Sequence, residues 1–193
     1  MDLTIIVFLL GGLFLGWSLG ANDAANVFGT AVGTRMIRFK TAAIVCGIFV
    51  ILGAVISGAG TTETLGKLGS INALPGAFAA CVAAGLAVYL MTKFGLPVST
   101  TQAIVGAIVG WNIYTGSSTN IKVLITIISM WVLCPIIAGL IAMLLFIITK
   151  RILRHNTLHI LRLDAYTRFS LLLAGAFGAY SLGANNIANV MGV

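Results

Sequence analysis

Residues 121–149 contain a single charged side chain, Lys122, and the runs 3–19, 41–60, 74–92, 98–112 and 169–193 contain none. A hydrocarbon core of roughly 30 Å takes about 20 consecutive apolar residues as a helix. Helical backbone satisfies its own hydrogen bonds there, so such runs in lipid read as helices. Only 8% of the 193 residues are charged, against roughly 25% in a soluble domain. The chain reads as an all-α polytopic membrane protein. Its 23 glycines suit close helix packing in lipid. Asp2 stands where a basic leader region would carry Lys or Arg, so the first run reads as a retained membrane helix and not as a signal peptide.

The first run leads into a polar stretch, Ser18-Leu19-Gly20-Ala21-Asn22-Asp23-Ala24-Ala25-Asn26-Val27-Phe28-Gly29-Thr30. An ionisable group inside a membrane helix costs about 2.5–3.5 kcal/mol on insertion scales and marks a functional site by default. The stretch returns as Ser181-Leu182-Gly183-Ala184-Asn185-Asn186-Ile187-Ala188-Asn189-Val190-Met191-Gly192-Val193, identical at nine of thirteen positions at an offset of 163. Gly12, Gly16 and Gly20 are echoed by Gly175, Ala179 and Gly183. A duplicated polar motif in apolar helices is the mark of a transporter built from structural repeats.

Basic loops face the cytoplasm. The segments 32–40 (Arg35, Arg38, Lys40) and 150–168 (Lys150, Arg151, Arg154, Arg162, Arg168) are strongly basic, whereas 61–72 and 113–120 are not. The N-terminus is therefore expected outside, with the first helix running inward and the last outward. Segment 74–112 either crosses twice or forms one re-entrant hairpin. Both options make the two motifs antiparallel, so the repeat is expected to be inverted. Asp2 and Arg35 bracket roughly 50 Å of helix, which places Asp23 near mid-membrane.

On a helix Asn22, Asp23, Asn26 and Thr30 share one face, and Asn185, Asn186 and Asn189 repeat it. Carboxylate, amide and hydroxyl oxygens suit an alkali or divalent cation or a proton relay, not zinc or copper. The second constellation, Pro97-Val98-Ser99-Thr100-Thr101-Gln102, opens an apolar helix. Ser99 and Gln102 have capping-box spacing, yet a helix start within the membrane also presents free N–H groups to an anion. Its pairing with the Asn/Asp face favours the anion site. Candidate anion contacts are Ser99, Thr100, Thr101, Gln102, Asn22 and Asn185. Candidate cation ligands are Asp23, Asn26, Thr30, Asn186 and Asn189.

Other features read as structural. Cys46, Cys81 and Cys134 form no metal spacing, and His155 and His159 sit among Arg and Lys as solvated side chains. Glu63 belongs to an exposed connection. Trp111, Trp131, Tyr89 and Tyr114 fit interfacial anchoring. The net charge of +7 follows from the orienting loops and does not call for nucleic acid. No nucleophile–base pair or nucleotide-binding loop is present, so an enzyme is not expected.

Gly20-Ala21-Asn22-Asp23-Ala24-Ala25-Asn26 with Gly29-Thr30-Ala31-Val32-Gly33 resembles the signature of the inorganic phosphate transporter (PiT) family. Pro97-Val98-Ser99-Thr100-Thr101-Gln102-Ala103-Ile104-Val105-Gly106 is similar to that family's hydroxyl-rich stretch. The chain departs at Gln102, where the family often has His, and at Asn186, where it usually has Asp. The resemblance implies symport of inorganic phosphate with sodium or protons, sodium favoured, by inverted halves in the plasma (inner) membrane without a prosthetic group. The alternative is a non-transporting or channel-like membrane subunit; a channel would need a continuous polar stripe, and the polar residues here are clustered. The expected organisation is a first transmembrane repeat at 1–149, a basic cytoplasmic loop at 150–168 and the start of a second inverted repeat at 169–193. A second half, in cis or on a partner chain, is therefore expected, and a homodimer is compatible with this reading.

Overall fold

The computed structural model describes residues 3–59, 67–68, 74–155 and 159–191, and these form six α-helices without a strand. They are α1 (Leu3–Gly33), α2 (Phe39–Ser57), α3 (Leu74–Lys93), α4 (Thr100–Thr115), α5 (Ile121–His155) and α6 (Ile160–Met191). Segments of α1, α2, α3 and α5 are long and apolar enough to cross a membrane. The expected all-α membrane architecture is the one observed. Most of the 61–72 connection, Glu63 included, lies outside the described residues.

One expected boundary differs. Residues 150–155 continue α5 and 160–168 begin α6, so the basic stretch expected as a loop is mostly helical. It contains no Gly or Pro to end a helix, and Asp164 bridges to Arg168 one turn later at 2.7 Å, an arrangement that supports helix locally. Arg168 also donates to the Met36 carbonyl at 2.8 Å, which ties the start of α6 to the α1–α2 turn.

Helix directions follow from which residues meet. Gly11 lies against Phe78, Gly85 against Phe14, and Trp17 against Tyr89 at 5.8 Å between ring centroids, so α1 and α3 run parallel. Gly12 lies against the Val190 carbonyl and Gly175 against the Phe28 ring, so α1 and α6 run antiparallel. The two copies of the polar motif therefore run in opposite senses, as the inverted repeat requires. The α2 and α6 helices run parallel and meet through glycine. A side chain at Gly53 would strike the Tyr180 carbonyl, and one at Gly183 the Val50 carbonyl. Small residues that let backbones touch are what holds helices together in lipid.

Turns are closed with matched chemistry. Gly95 and Gly116 adopt φ 71°, and each ends its helix in a left-handed cap. Leu96 N–H reaches the Met91 carbonyl at 2.9 Å and Ser117 N–H the Asn112 carbonyl at 2.9 Å. Asn120 Oδ1 then accepts from Val123 N–H at 3.3 Å to start α5.

Gly183→Ala should push α2 and α6 apart and cost about 1–3 kcal/mol. An added Cβ at Gly106 meets nothing within 4 Å, so Gly106→Ala should leave stability nearly unchanged. Thermal unfolding of both variants in detergent, side by side, measures the difference.

Candidate functional site

The bend between α3 and α4 does not reach as far as α1 does. Thr92, in the last turn of α3, lies 2.8 Å from the Asn22 amide. Past that level α1 continues from Asp23 to Gly33, roughly 15 Å more at 1.5 Å per residue. The hairpin tip thus stops beside the polar motif, partway along α1. At 16 residues α4 is about 24 Å long, shorter than a hydrocarbon core of roughly 30 Å.

Three polar stretches meet at this tip. Asn22 is buried. The hydrogen-bond network sets its amide orientation, with the nitrogen donating to the Val98 carbonyl and to Asp23 Oδ1, both at 3.1 Å, and the oxygen accepting from Thr92 at 2.8 Å. Thr100, also buried, donates its hydroxyl to Asp23 Oδ2 at 3.1 Å. The next residue faces the other motif: Thr101 Oγ1 accepts from Asn189 Nδ2 at 3.1 Å. The same amide nitrogen donates to Asn186 Oδ1. Adjacent hydroxyls at one helix start therefore bridge residues 23 and 189.

Ser99 is the N-cap of α4, accepting from Gln102 N–H at 3.3 Å. Capping and ligand binding are compatible at this residue, because the bond uses a lone pair and leaves the Ser99 proton free. The Thr101 hydroxyl is likewise an acceptor toward Asn189 and keeps its proton. Both residues line a cavity of about 550 Å³, with Gln102, Asn185 and Asn189 on the polar wall. The facing wall comes from α5 and includes Ile127, Met130, Trp131 and Pro135. Pro135 has no N–H to give the Trp131 carbonyl. Among the described residues no carboxylate lines the cavity. Its donors and the positive end of α4 suit an anion, while Asp23 stands outside it, its oxygens accepting from Thr100 and from the Asn22 nitrogen.

Of the residues read from sequence, Asn22, Asp23, Ser99, Thr100, Thr101, Gln102, Asn186 and Asn189 gather at the tip or in the cavity, and Asn185 lines the cavity. Asn22 is not on the cavity wall; its amide is spent on the bend. Asn26 and Thr30 are exposed further along α1. Sequence reading missed Thr92, a lone hydroxyl near the end of an apolar run, and the α5 wall, whose side chains look like ordinary membrane helix. The Asn189 Oδ1 atom is buried without a partner, an acceptor left over at the site.

The sequence profile of the phosphate transporter family matches residues 19–193. The chain belongs to that family. A protein of Thermococcus kodakarensis whose name proposes a phosphate permease is 38% identical over 156 aligned residues, 76% of this chain and 38% of that protein. A similarly named protein of Chlamydia pneumoniae is 38% identical over 159 residues, 76% of this chain and 37% of the other. The chain thus spans less than two fifths of the length of these curated relatives. A solved structure described as the sodium-dependent phosphate transporter shares the fold, with a TM-score of 0.77 at 23% identity over 97% of this chain and 65% of that one.

Thr92→Val should untie the hairpin tip from α1, since a buried Asn oxygen left without its donor costs about 1–3 kcal/mol. A lower unfolding temperature in detergent than wild type is the expected reading.

Proposed function

We propose that this chain forms one repeat of a secondary symporter of inorganic phosphate, together with the start of an inverted second repeat at 169–193. The observation that carries this reading is the pair of neighbouring hydroxyls, Thr100 toward Asp23 and Thr101 toward Asn189. They join a carboxylate site for a cation to a carboxylate-free cavity for an anion. Phosphate would sit at the start of α4 against Ser99, Thr101, Gln102 and Asn185. The cation would sit at Asp23, with Asn26, Thr30, Asn186 and Asn189 supplying further oxygens as the halves close. Among the described residues no Lys or Arg lines the cavity, so within this chain helix dipole, hydroxyls and the nearby cation would offset the charge of the anion.

The geometry also favours the re-entrant option for 74–112, because the bend lies beside mid-α1. Positive charge around Arg35, Arg38 and Arg168 supports a cytoplasmic location for that end and an outer N-terminus in the plasma (inner) membrane. Sodium is the first choice of coupling ion and the proton the second. An Asp among neutral amides and hydroxyls offers oxygen coordination without deprotonating further ligands, and the structural neighbour is described as sodium-dependent.

The test is radiolabelled phosphate uptake by the full-length protein in proteoliposomes, with sodium and proton gradients imposed separately. Uptake should follow the sodium gradient and be lost in Asp23→Asn, which keeps the shape and removes the charge. Uptake driven by pH alone in sodium-free buffer would reverse the choice of ion. Wild-type ion dependence in Asp23→Asn would remove this carboxylate from the mechanism.

Thr101→Val and Thr100→Val should separate the two subsites. A hydrogen bond to a charged group is worth about 1.5–3 kcal/mol, so Thr101→Val should weaken phosphate binding at least roughly ten-fold. Thr100→Val should act mainly on the sodium dependence. Equal effects of both on both ligands would show that the subsites are not distinct.

A further inference from the structure

Lys93 closes α3 and is exposed. Its neighbour Thr92 is bonded to Asn22, so Lys93 stands at the depth of Asn22 and Asp23. The basic turn at Arg35, Arg38 and Lys40 is a further roughly 15 Å along α1, and the four-carbon stem of a lysine falls well short of it. Among the described residues Lys93 has no ion pair and no side-chain hydrogen bond. A cation at membrane depth belongs in a water-filled cavity or an ion pathway, not in hydrocarbon.

The face of α1 beyond the hairpin tip gives an independent sign. Its exposed residues are Ala25, Asn26, Gly29, Thr30 and Gly33, and a side chain added at Gly29 or Gly33 would meet nothing within 4 Å. Where α1 and α2 are exposed elsewhere, they show Leu9, Leu13, Ile44, Ile51 and Val55. Along α1 the large exposed apolar side chains end at Trp17, and small and polar ones replace them down to the basic turn, while the tip itself exposes Phe94 and Leu96 next to Lys93.

We infer that this face of α1 and the hairpin tip border an aqueous vestibule opening on the side of Arg35, Arg38 and Lys40. Lys93 is its innermost cation, the residue that draws phosphate from that side toward Ser99 across the bend. The inference rests on the phosphate reading above for its substrate, but not for the existence of the vestibule. Cations at the mouth and one at the inner end form a field that concentrates anions along the path.

Two measurements on the full-length protein decide it. In a Cys134→Ala background, Thr30→Cys and Lys93→Cys should react with a membrane-impermeant cationic methanethiosulfonate added on the basic side, and Leu13→Cys should not. Absence of labelling at both positions 30 and 93 would overturn the vestibule, whatever the protein transports. For transport from the basic side, Lys93→Gln should raise the KM for inorganic phosphate roughly ten-fold with kcat little changed. It should also flatten the dependence of KM on ionic strength, and Lys93→Arg should restore both. An unchanged KM in Lys93→Gln would overturn the role of Lys93. Labelling without phosphate transport would instead refute the phosphate reading and leave the vestibule standing.

Discussion

The Val98 carbonyl is the acceptor on which the architecture turns. It lies in the bend between α3 and α4, beside the polar motif of α1, and a backbone acceptor facing the buried Asn22 needs a partner there. The Asn22 amide nitrogen reaches it at 3.1 Å. The left-handed cap at Gly95 satisfies the end of α3, and Ser99 caps the start of α4. With these groups answered, a helix start can stand partway along α1. The polar motif is thus a structural requirement before it is a chemical one. Asn22 stabilises the bend that brings Thr100 to its neighbour Asp23.

The two motif copies have nearly one sequence and different surroundings. Asn22 is buried and its counterpart Asn185 exposed, whereas Asn26 is exposed and its counterpart Asn189 buried. The cause is the hairpin, which covers one side of α1 only. Asn22 meets the bend itself, while Asn189 meets the first turn of α4 from the other side. The departure at residue 186 fits this asymmetry. Asn186 is buried with its oxygen accepting from Asn189, and a carboxylate there would lie close to the cavity that Asn189 lines.

Most of this fold was legible from hydropathy and spacing. Apolar runs located the six helices of the described residues, the offset of 163 located the antiparallel pair, and the hydroxyl stretch located the start of α4 that lines the cavity. Helix ends were less legible where charge was taken for loop: the 150–168 stretch is polar, but nothing in it breaks a helix. Thr92 and Lys93 were invisible for another reason. A single polar residue ending an apolar run is ordinary at a membrane surface, and only its depth beside Asn22 makes it unusual. Depth is a tertiary quantity, and the sequence left open whether 74–112 turned back early. The α5 wall was hidden because its cavity-facing residues do not differ in type from those facing lipid.

Under the proposed function, the position of Asp23 outside the cavity has an electrostatic consequence. A dianion and Asp23 sharing one cavity would repel each other strongly where the dielectric is low, and burial would magnify the effect. Separated by the first turn of α4, they interact through Thr100 and Thr101 instead. In the proposed cycle a monovalent cation at Asp23 neutralises the carboxylate and so removes that long-range repulsion. It also draws on the carboxylate oxygens that Thr100 and Asn22 bond. Each ligand thereby raises the affinity for the other, and reciprocity of the coupling follows from linkage. Adjacent residues at one helix start are suited to this, because a shift of that turn moves both hydroxyls together.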